Sequence, residues 1–166
     1  GALGPFHVGV TKALLEQGLL PDVISGSSAG SFVAAVIGTH DEATLRAALQ
    51  PSDLADAFGD LGSGHRKMIA GRQQIGRGEL EAAIEAQVPD MTFAEAFEHT
   101  GRKINISVSP SEVHQSSRLL NAVTSPNVCI REAVMASCAV PGVFPAVTLK
   151  AKNTRGERLP YVASRK

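Results

Sequence analysis

The 166-residue chain is long enough for one domain with a sizeable core and too short for two ordinary domains, so we treat residues 1–166 as one domain. Hydrophobic residues make up 43% of the chain and charged residues 19%, which excludes an intrinsically disordered protein. Sixteen basic residues balance sixteen acidic ones, so no net field attracts nucleic acid, and we expect no nucleic-acid partner.

Helical and strand patterns alternate along the chain. Phe6, Val10 and Ala13 recur at helical spacing, as the apolar face of a helix that Gly18 ends. From Lys103 to Ser109, apolar and polar residues alternate with the period of two that is typical of a half-buried strand. Strands separated by helices predict the α/β class, with a central, mostly parallel sheet and helices on both faces. The other predicted elements are a buried strand over 23–25, helices over 28–38, 41–49, 78–88, 92–99 and 128–140, and strands over 117–123 and 146–150.

Local composition adds detail to this outline. The helix over 28–38 is apolar on nearly every face, so we expect it to be buried. Thr92 followed by Glu95 predicts a capping box at a helix start. The segment Pro51–Gln74 is rich in glycine and polar residues and has weak periodicity, which predicts a mobile surface segment. The basic stretch Lys152–Lys166 is predicted to be a solvated tail.

The pentapeptide Gly26-Ser27-Ser28-Ala29-Gly30 lies between the predicted buried strand and the predicted buried helix. In this context a Gly-x-Ser-x-Gly sequence predicts a sharp turn that presents a serine nucleophile, Ser28. Gly26 and Gly30 are expected to provide room where side chains would clash. The helix N-terminus would stabilise the oxyanion that forms after attack. Two alternatives stay open: the serines only cap the helix, or Ser27 is the nucleophile.

A glycine-rich stretch, Gly1-Ala2-Leu3-Gly4, opens the chain just before the first helix. Its backbone N–H groups are expected to converge on the same oxyanion. A simple tight turn and a phosphate-binding loop of dinucleotide type are the alternatives. No Gly-x-x-x-x-Gly-Lys-Ser/Thr pattern supports a nucleotide site.

Three stretches of sequence share a resemblance: Gly-Ala-Leu-Gly-Pro-Phe-His-Val-Gly-Val, Val-Ile-Ser-Gly-Ser-Ser-Ala-Gly and Ala-Ser-Cys-Ala-Val-Pro-Gly-Val-Phe-Pro. In this order they resemble the patatin-like phospholipase family, and within it the branch that contains yeast and plant triacylglycerol lipases and their bacterial relatives. The resemblance covers nearly the whole chain and implies a three-layer patatin-like fold. It implies that Ser28 is the nucleophile, that Gly1 and Gly4 belong to the oxyanion motif, and that Gly1 and Ala2 hold the oxyanion.

The resemblance also implies a Ser–Asp dyad whose aspartate is followed by glycine. No aspartate of this chain is followed by glycine. We therefore expect the catalytic aspartate beyond Lys166, and we expect the chain to be truncated at both ends of its active site and inactive as it stands. His114 and His99 are the alternative bases, as in a Ser-His-Asp triad.

The sequence thus predicts a serine lipid acyl hydrolase, a triacylglycerol lipase or a phospholipase, that forms an acyl-enzyme on Ser28. A non-catalytic lipid-binding module and a lysolipid acyltransferase stay open as alternatives. We expect a lipid substrate, met at a membrane or lipid-droplet surface, and a cytoplasmic or peripheral-membrane location. No cofactor is expected, and the spacing of the histidines suits no metal site.

Overall fold

The helices and strands follow the order that the sequence predicts. A computed structural model describes residues 4–48, 77–111, 114, 116–139 and 145–161, so Gly1, Ala2 and the segment Pro51–Gln74 lie outside the described residues. The strand predicted over 146–150 instead occupies 150–152. The elements are α1 (Gly4–Glu16), β1 (Val23–Gly26), α2 (Ala29–Thr39), α3 (Glu42–Ala48), α4 (Arg77–Gln87), α5 (Phe93–Thr100), β2 (Lys103–Val108), β3 (Arg118–Leu120), α6 (Ile130–Cys138), β4 (Lys150–Lys152) and β5 (Arg158–Pro160).

The described central sheet has the strand order β1–β2–β3. β1 and β2 are parallel, with Ile24 opposite Ile104 and Gly26 opposite Ile106. β3 is antiparallel to β2, with Ile106 opposite Leu120 and Val108 opposite Arg118. The α/β class is therefore confirmed, while the described sheet is mixed rather than mostly parallel.

α2 forms the centre of the core, as its apolar composition predicts. Every residue from Ser31 to Thr39 is buried. Gly38 allows α2 to approach β2 closely, because an added Cβ would lie 2.1 Å from the Ile104 side chain. This packing fixes the N-terminus of α2 at the carboxyl end of β1. Neither α2 nor any other helix in the described ranges is long and apolar enough to cross a membrane.

The C-terminus of α2 is held by a buried arginine. Arg102 is 8% exposed and donates hydrogen bonds to the carbonyl oxygens of His40 (3.1 Å) and Ile37 (3.4 Å). Its guanidinium also lies 3.4 Å from the exposed carboxylate of Glu42. Carbonyls at a helix end have no partner within the helix, so the arginine satisfies groups that would otherwise be desolvated without a donor.

The capping box predicted at the start of α5 is confirmed. The Thr92 hydroxyl accepts a hydrogen bond from the Glu95 backbone N–H at 3.2 Å, and the Glu95 carboxylate accepts one from the Thr92 backbone N–H at 2.7 Å. Gly101 ends the helix with a φ of 72°. Both ends of α5 are therefore set by local sequence.

The strand β1 and the helix α1 bury different residues from those predicted. Val23 is 57% exposed, Ser25 is exposed, and Ile24 is only partly buried. The prediction that β1 is a buried strand is therefore wrong, since none of its four residues is fully buried. On α1, Leu15 is buried and Val8 packs against the core, whereas Phe6 and Val10, which mark the predicted apolar face, are exposed.

The C-terminal basic stretch contains a β-hairpin. β4 and β5 are antiparallel, and the turn between them includes Gly156 with a φ of 77°. Lys152 contacts Glu95 at 2.8 Å, and Arg158 forms an ion pair with Asp90. Because these partners lie on α5 and the loop before it, the ion pairs hold the hairpin against the rest of the domain. Most of these residues are exposed, as predicted for a solvated segment, but up to residue 161 they form a hairpin instead of a free tail.

Candidate active site

The candidate nucleophile lies on a sharp turn between β1 and α2. β1 ends at Gly26, and α2 begins at Ala29, so only Ser27 and Ser28 connect them. Ser28 has φ 52° and ψ −125°, and among the described residues it is the non-glycine residue with positive φ. Such a conformation costs on the order of 1–3 kcal/mol and persists only where the surrounding structure imposes it. The turn therefore has the strain that the sequence predicts for a nucleophile.

The two glycines of the pentapeptide differ in their steric role. A Cβ added to Gly26 would lie 2.1 Å from the Gly30 carbonyl oxygen, so the end of β1 touches the first turn of α2 there. A Cβ added to Gly30 would meet no described residue within 4 Å outside its own helix. The expected crowding is therefore present at Gly26 and absent at Gly30, whose carbonyl is instead the group that Gly26 approaches.

Ser28 occupies the N-cap position of α2, but its side chain makes no capping hydrogen bond. An ordinary N-cap serine has extended backbone and accepts a hydrogen bond from an amide two or three residues later. Here the backbone carbonyl of Ser28 accepts from the Ser31 N–H at 2.8 Å and from the Ser31 hydroxyl at 2.6 Å. The hydroxyl of Ser28 is therefore not used for capping, which counts against the capping alternative for this residue.

The backbone N–H of Ser28 is held by α6. It donates to the Ser137 hydroxyl oxygen at 2.9 Å, and that hydroxyl donates to the Ser107 carbonyl oxygen on β2 at 2.7 Å. Three elements, β1, β2 and α6, therefore converge on the peptide group that leads into the candidate nucleophile. Sequence reasoning missed Ser137, because the contact joins residues that are 109 positions apart.

The N-terminus of α2 offers an amide to a developing negative charge. The backbone N–H of Ala29 has no hydrogen-bond partner among the residues that the structure describes. The first amides of a helix point along its axis and carry its positive dipole end, which favours an anion at that place. Sequence reasoning also missed Ala29, although a nucleophile turn itself predicts that the next residue contributes an oxyanion donor.

Cys138, the last residue of α6, lies beside the turn. Burial raises the pKa of its thiol, and interactions with the hydroxyls of Ser31 and Ser28 partly offset that effect. A thiol whose pKa is raised is a weak nucleophile at neutral pH. The cysteine is therefore a half-buried neighbour of Ser28 rather than a competing nucleophile.

A general base for Ser28 is not found among the described residues. No carboxylate or imidazole in those ranges hydrogen-bonds to the Ser28 hydroxyl. The alternative bases His114 and His99 are both exposed and make no such contact. Gly4 begins α1, while Gly1 and Ala2, the predicted oxyanion residues, lie outside the described part. No group of three or more metal-binding side chains occurs within the described residues.

Sequence comparisons are consistent with this geometry. A sequence model of the family described as patatin-like phospholipase matches residues 1–162. The chain is 41% identical over 165 residues to triacylglycerol lipase SDP1L of Arabidopsis thaliana, a match that covers 96% of the chain and 20% of the relative. It is 37% identical over 178 residues to triacylglycerol lipase 4 of Saccharomyces cerevisiae, with 99% of the chain and 19% of the relative covered.

A third relative extends the comparison to another yeast. The chain is 36% identical over 163 residues to triacylglycerol lipase ptl2 of Schizosaccharomyces pombe, and the match covers 94% of the chain and 25% of the relative. The chain thus spans between 19% and 25% of the length of these three relatives. Because the family match extends over nearly all of its residues, the chain belongs to the patatin-like phospholipase family.

Proposed function

We propose that this chain carries the nucleophile of a serine lipid acyl hydrolase, either a triacylglycerol lipase or a phospholipase, and that Ser28 is that nucleophile. The observation that carries the proposal is the state of Ser28. It has a strained positive φ at the N-terminus of a buried helix, and its hydroxyl makes no capping hydrogen bond. Strain of this kind is retained where function requires it. The names of the relatives support triacylglycerol as the first substrate to test.

The proposed reaction proceeds through an acyl-enzyme. The base takes the proton of the Ser28 hydroxyl while Oγ attacks the ester carbonyl carbon, and the carbonyl oxygen becomes an oxyanion. The oxyanion collapses, the ester C–O bond breaks, and the alcohol leaves with the proton. Water then attacks the acyl-enzyme with the help of the same base, which releases the fatty acid and restores Ser28.

The proposed oxyanion site combines two chain segments. The backbone N–H groups of Gly1 and Ala2 are the donors that the family resemblance implies. The N–H of Ala29, at the positive end of the α2 dipole, is proposed as a third donor. Preorganised amides of this kind contribute on the order of 3–4 kcal/mol each to the transition state when water is excluded.

The proposed base is the aspartate of a Ser–Asp dyad, expected beyond Lys166. The dyad would be supported if an Asp-Gly sequence follows this chain in the full-length protein. A protein without such an aspartate would have an acyl-binding site with an unactivated serine. That outcome would favour the non-catalytic lipid-binding alternative.

The proposed substrate defines where the protein acts. Triacylglycerols and phospholipids are held in droplets and membranes rather than in solution, so the enzyme would meet them at a lipid surface. Transfer of the acyl group to a lysolipid uses the same acyl-enzyme with a different acceptor. Product analysis with and without added lysolipid separates the acyltransferase from the hydrolase.

The test is fluorophosphonate labelling of the full-length protein, with the adduct located by peptide mass spectrometry. We expect the adduct on Ser28. Ser28→Ala should abolish labelling and lower kcat by a factor of about 10⁴–10⁶, as the loss of a nucleophile does in other serine hydrolases. Ser27→Ala is the matched control, because Ser27 is the exposed neighbour in the same turn, and it should still be labelled at residue 28.

The outcomes of this test separate the alternatives. An adduct on Ser27 would refute the assignment of the nucleophile. A folded protein that forms no adduct and hydrolyses no ester would refute the enzyme and favour a lipid-binding module. An adduct on Ser28 together with release of fatty acid from emulsified triacylglycerol would support the lipase.

A further inference from the structure

The hydroxyl of Ser137 connects the candidate nucleophile turn to the central sheet. It accepts a hydrogen bond from the Ser28 backbone N–H at 2.9 Å and donates one to the Ser107 carbonyl oxygen at 2.7 Å. A hydroxyl is able to accept and donate at the same time, whereas an amide N–H or a carbonyl can do only one of the two. Position 137 on α6 is therefore occupied by a short side chain that accepts one hydrogen bond and donates the other.

The two hydrogen bonds close a loop of interactions around the turn. Ser107 lies on β2, which pairs in parallel with β1, and β1 leads through Gly26 into the turn. The turn is therefore linked to β2 in two ways: through the pairing of β1 with β2, and through the two hydrogen bonds of the Ser137 hydroxyl. Because α6 also packs against α2 and β2, Ser137 cannot move independently of the sheet.

The hydrogen bond to Ser137 restrains the peptide group between Ser27 and Ser28, next to the strained φ of Ser28. The φ of Ser28 is the rotation about its N–Cα bond, and its value of 52° is unfavourable for a residue with a side chain. The carbonyl of Ser28 is held separately by Ser31 and Phe32. With both flanking peptide groups fixed, the Cα–Cβ bond of Ser28 has one direction, and the hydroxyl is confined to a small region above the helix N-terminus.

We propose that Ser137 is a positioning residue for Ser28, which keeps the nucleophile turn in its reactive conformation. This inference rests on the proposed function, because it assumes that Ser28 is the nucleophile. Ser137 does not touch the reacting atoms in this arrangement, since it contacts the backbone of Ser28 and not its hydroxyl. Its loss should therefore slow the chemical step more than it weakens substrate binding.

The experiment compares Ser137→Ala with Ser137→Thr in the full-length protein. The alanine variant should react with a fluorophosphonate about ten- to a hundredfold more slowly, since a displacement near 1 Å at a reacting group costs about a hundredfold. Its kcat for a soluble short-chain ester should fall by the same factor, while KM changes less than about threefold. The threonine variant retains the hydroxyl and should recover most of the rate.

Thr100→Val is the matched control for a loss of stability alone. The Thr100 hydroxyl also joins two elements, because it donates to the carbonyls of Gly38 (2.9 Å) and Ala96 (3.0 Å), but it lies at the other end of α2. This variant should lower the thermal unfolding temperature and leave the rate of labelling within about twofold of the wild type. Equal slowing in the alanine and valine variants would overturn the positioning role.

Hydrogen exchange provides a readout that does not depend on activity. In Ser137→Ala the Ser28 amide loses its acceptor, so it should exchange at least about tenfold faster, while the Thr100→Val variant leaves it protected. The inference would be overturned if Ser137→Ala reacts with the fluorophosphonate at the wild-type rate and its Ser28 amide exchanges at the wild-type rate. The proposed function would still stand in that case. If the wild type is neither labelled nor active, the proposed function fails, and the role of Ser137 as the restraint on this turn is then decided by the exchange of the Ser28 amide alone.

Discussion

Replacing Gly26 by alanine tests whether close contact between β1 and α2 creates the strained turn. The new Cβ would lie 2.1 Å from the Gly30 carbonyl oxygen, 2.3 Å from its carbonyl carbon and 2.6 Å from the Ser31 nitrogen. All three atoms belong to the backbone, so no side-chain rotation relieves the clash. Real Cβ contacts are essentially never shorter than 3.0 Å, and the two segments must therefore separate by close to an ångström.

The expected cost of this separation has two parts. Overpacking of a well-packed site typically lowers the free energy of unfolding by about 1–3 kcal/mol. A displacement near 1 Å at a reacting group lowers the rate of reaction by about a hundredfold. Gly26→Ala should therefore fold, with a lower unfolding midpoint in urea, and its Ser28 should react with a fluorophosphonate at about one hundredth of the wild-type rate per folded molecule.

Two other glycines of the chain supply matched controls. A Cβ at Gly38 would lie equally close to a neighbour, but that neighbour is the Ile104 side chain, at the opposite end of α2 from Ser28. Gly38→Ala should lose a similar free energy of unfolding and keep its labelling rate within about threefold. Gly9→Ala, on an exposed part of α1 with nothing within 4 Å, should gain roughly 0.5–1 kcal/mol. If folded Gly26→Ala protein is labelled at the wild-type rate, the steric explanation of the turn is refuted.

Two further predictions concern the ion pairs of the fold. Arg102→Met removes the buried donor at the end of α2 and should lower the free energy of unfolding by about 1–3 kcal/mol, whereas Glu42→Gln, which alters only the exposed partner, should cost less than about 1 kcal/mol in urea denaturation. If the two variants lose the same free energy of unfolding, Arg102 stabilises the fold through the ion pair with Glu42 and not through its hydrogen bonds to the carbonyls. The hydrogen bond from Arg158 lowers the pKa of Asp90 from its ordinary value of 3.8, so the carboxylate contributes stability above that pH and loses it as the pH falls through the folded-state pKa. Asp90→Asn should therefore cost about 0.2–1 kcal/mol at pH 7, and the difference from the wild type should shrink below pH 3.8 and in high salt; a pH-independent difference would contradict this account.

Features that depend on neighbours in sequence were predicted well. The alternation from Lys103 to Ser109 predicts the buried and more exposed faces of β2, and the apolar composition of α2 predicts the burial seen from Ser31 to Thr39. Thr92 and Glu95 formed the expected capping box. In each case the relevant contact lies within a few residues or follows from one periodic pattern, so the sequence contains the information locally.

Features that depend on distant partners were predicted poorly. On α1, two stripes are apolar at helical spacing, and only the packing of α2 and α3 decides that Leu15 faces the core while Phe6 does not. The basic residues of the C-terminal stretch gave no sign of a hairpin, because the carboxylates that hold it, such as Asp90, belong to other elements. Charge in a polar stretch is compatible with a solvated tail and with an ion-paired hairpin alike.

The candidate site depends both on contacts between sequence neighbours and on contacts between distant residues, and only the first kind is predictable from the sequence. The turn itself is local: Gly26 permits the close approach, and the first turn of α2 holds the Ser28 carbonyl. The restraint on the Ser28 amide comes from Ser137, whose partner is set only when α6 packs beside β2. A serine near a helix end carries no local pattern that distinguishes such a contact from an exposed hydroxyl. The pentapeptide is therefore enough to predict Ser28 as the candidate nucleophile, whereas the contact of its amide with Ser137 is seen only in the folded chain.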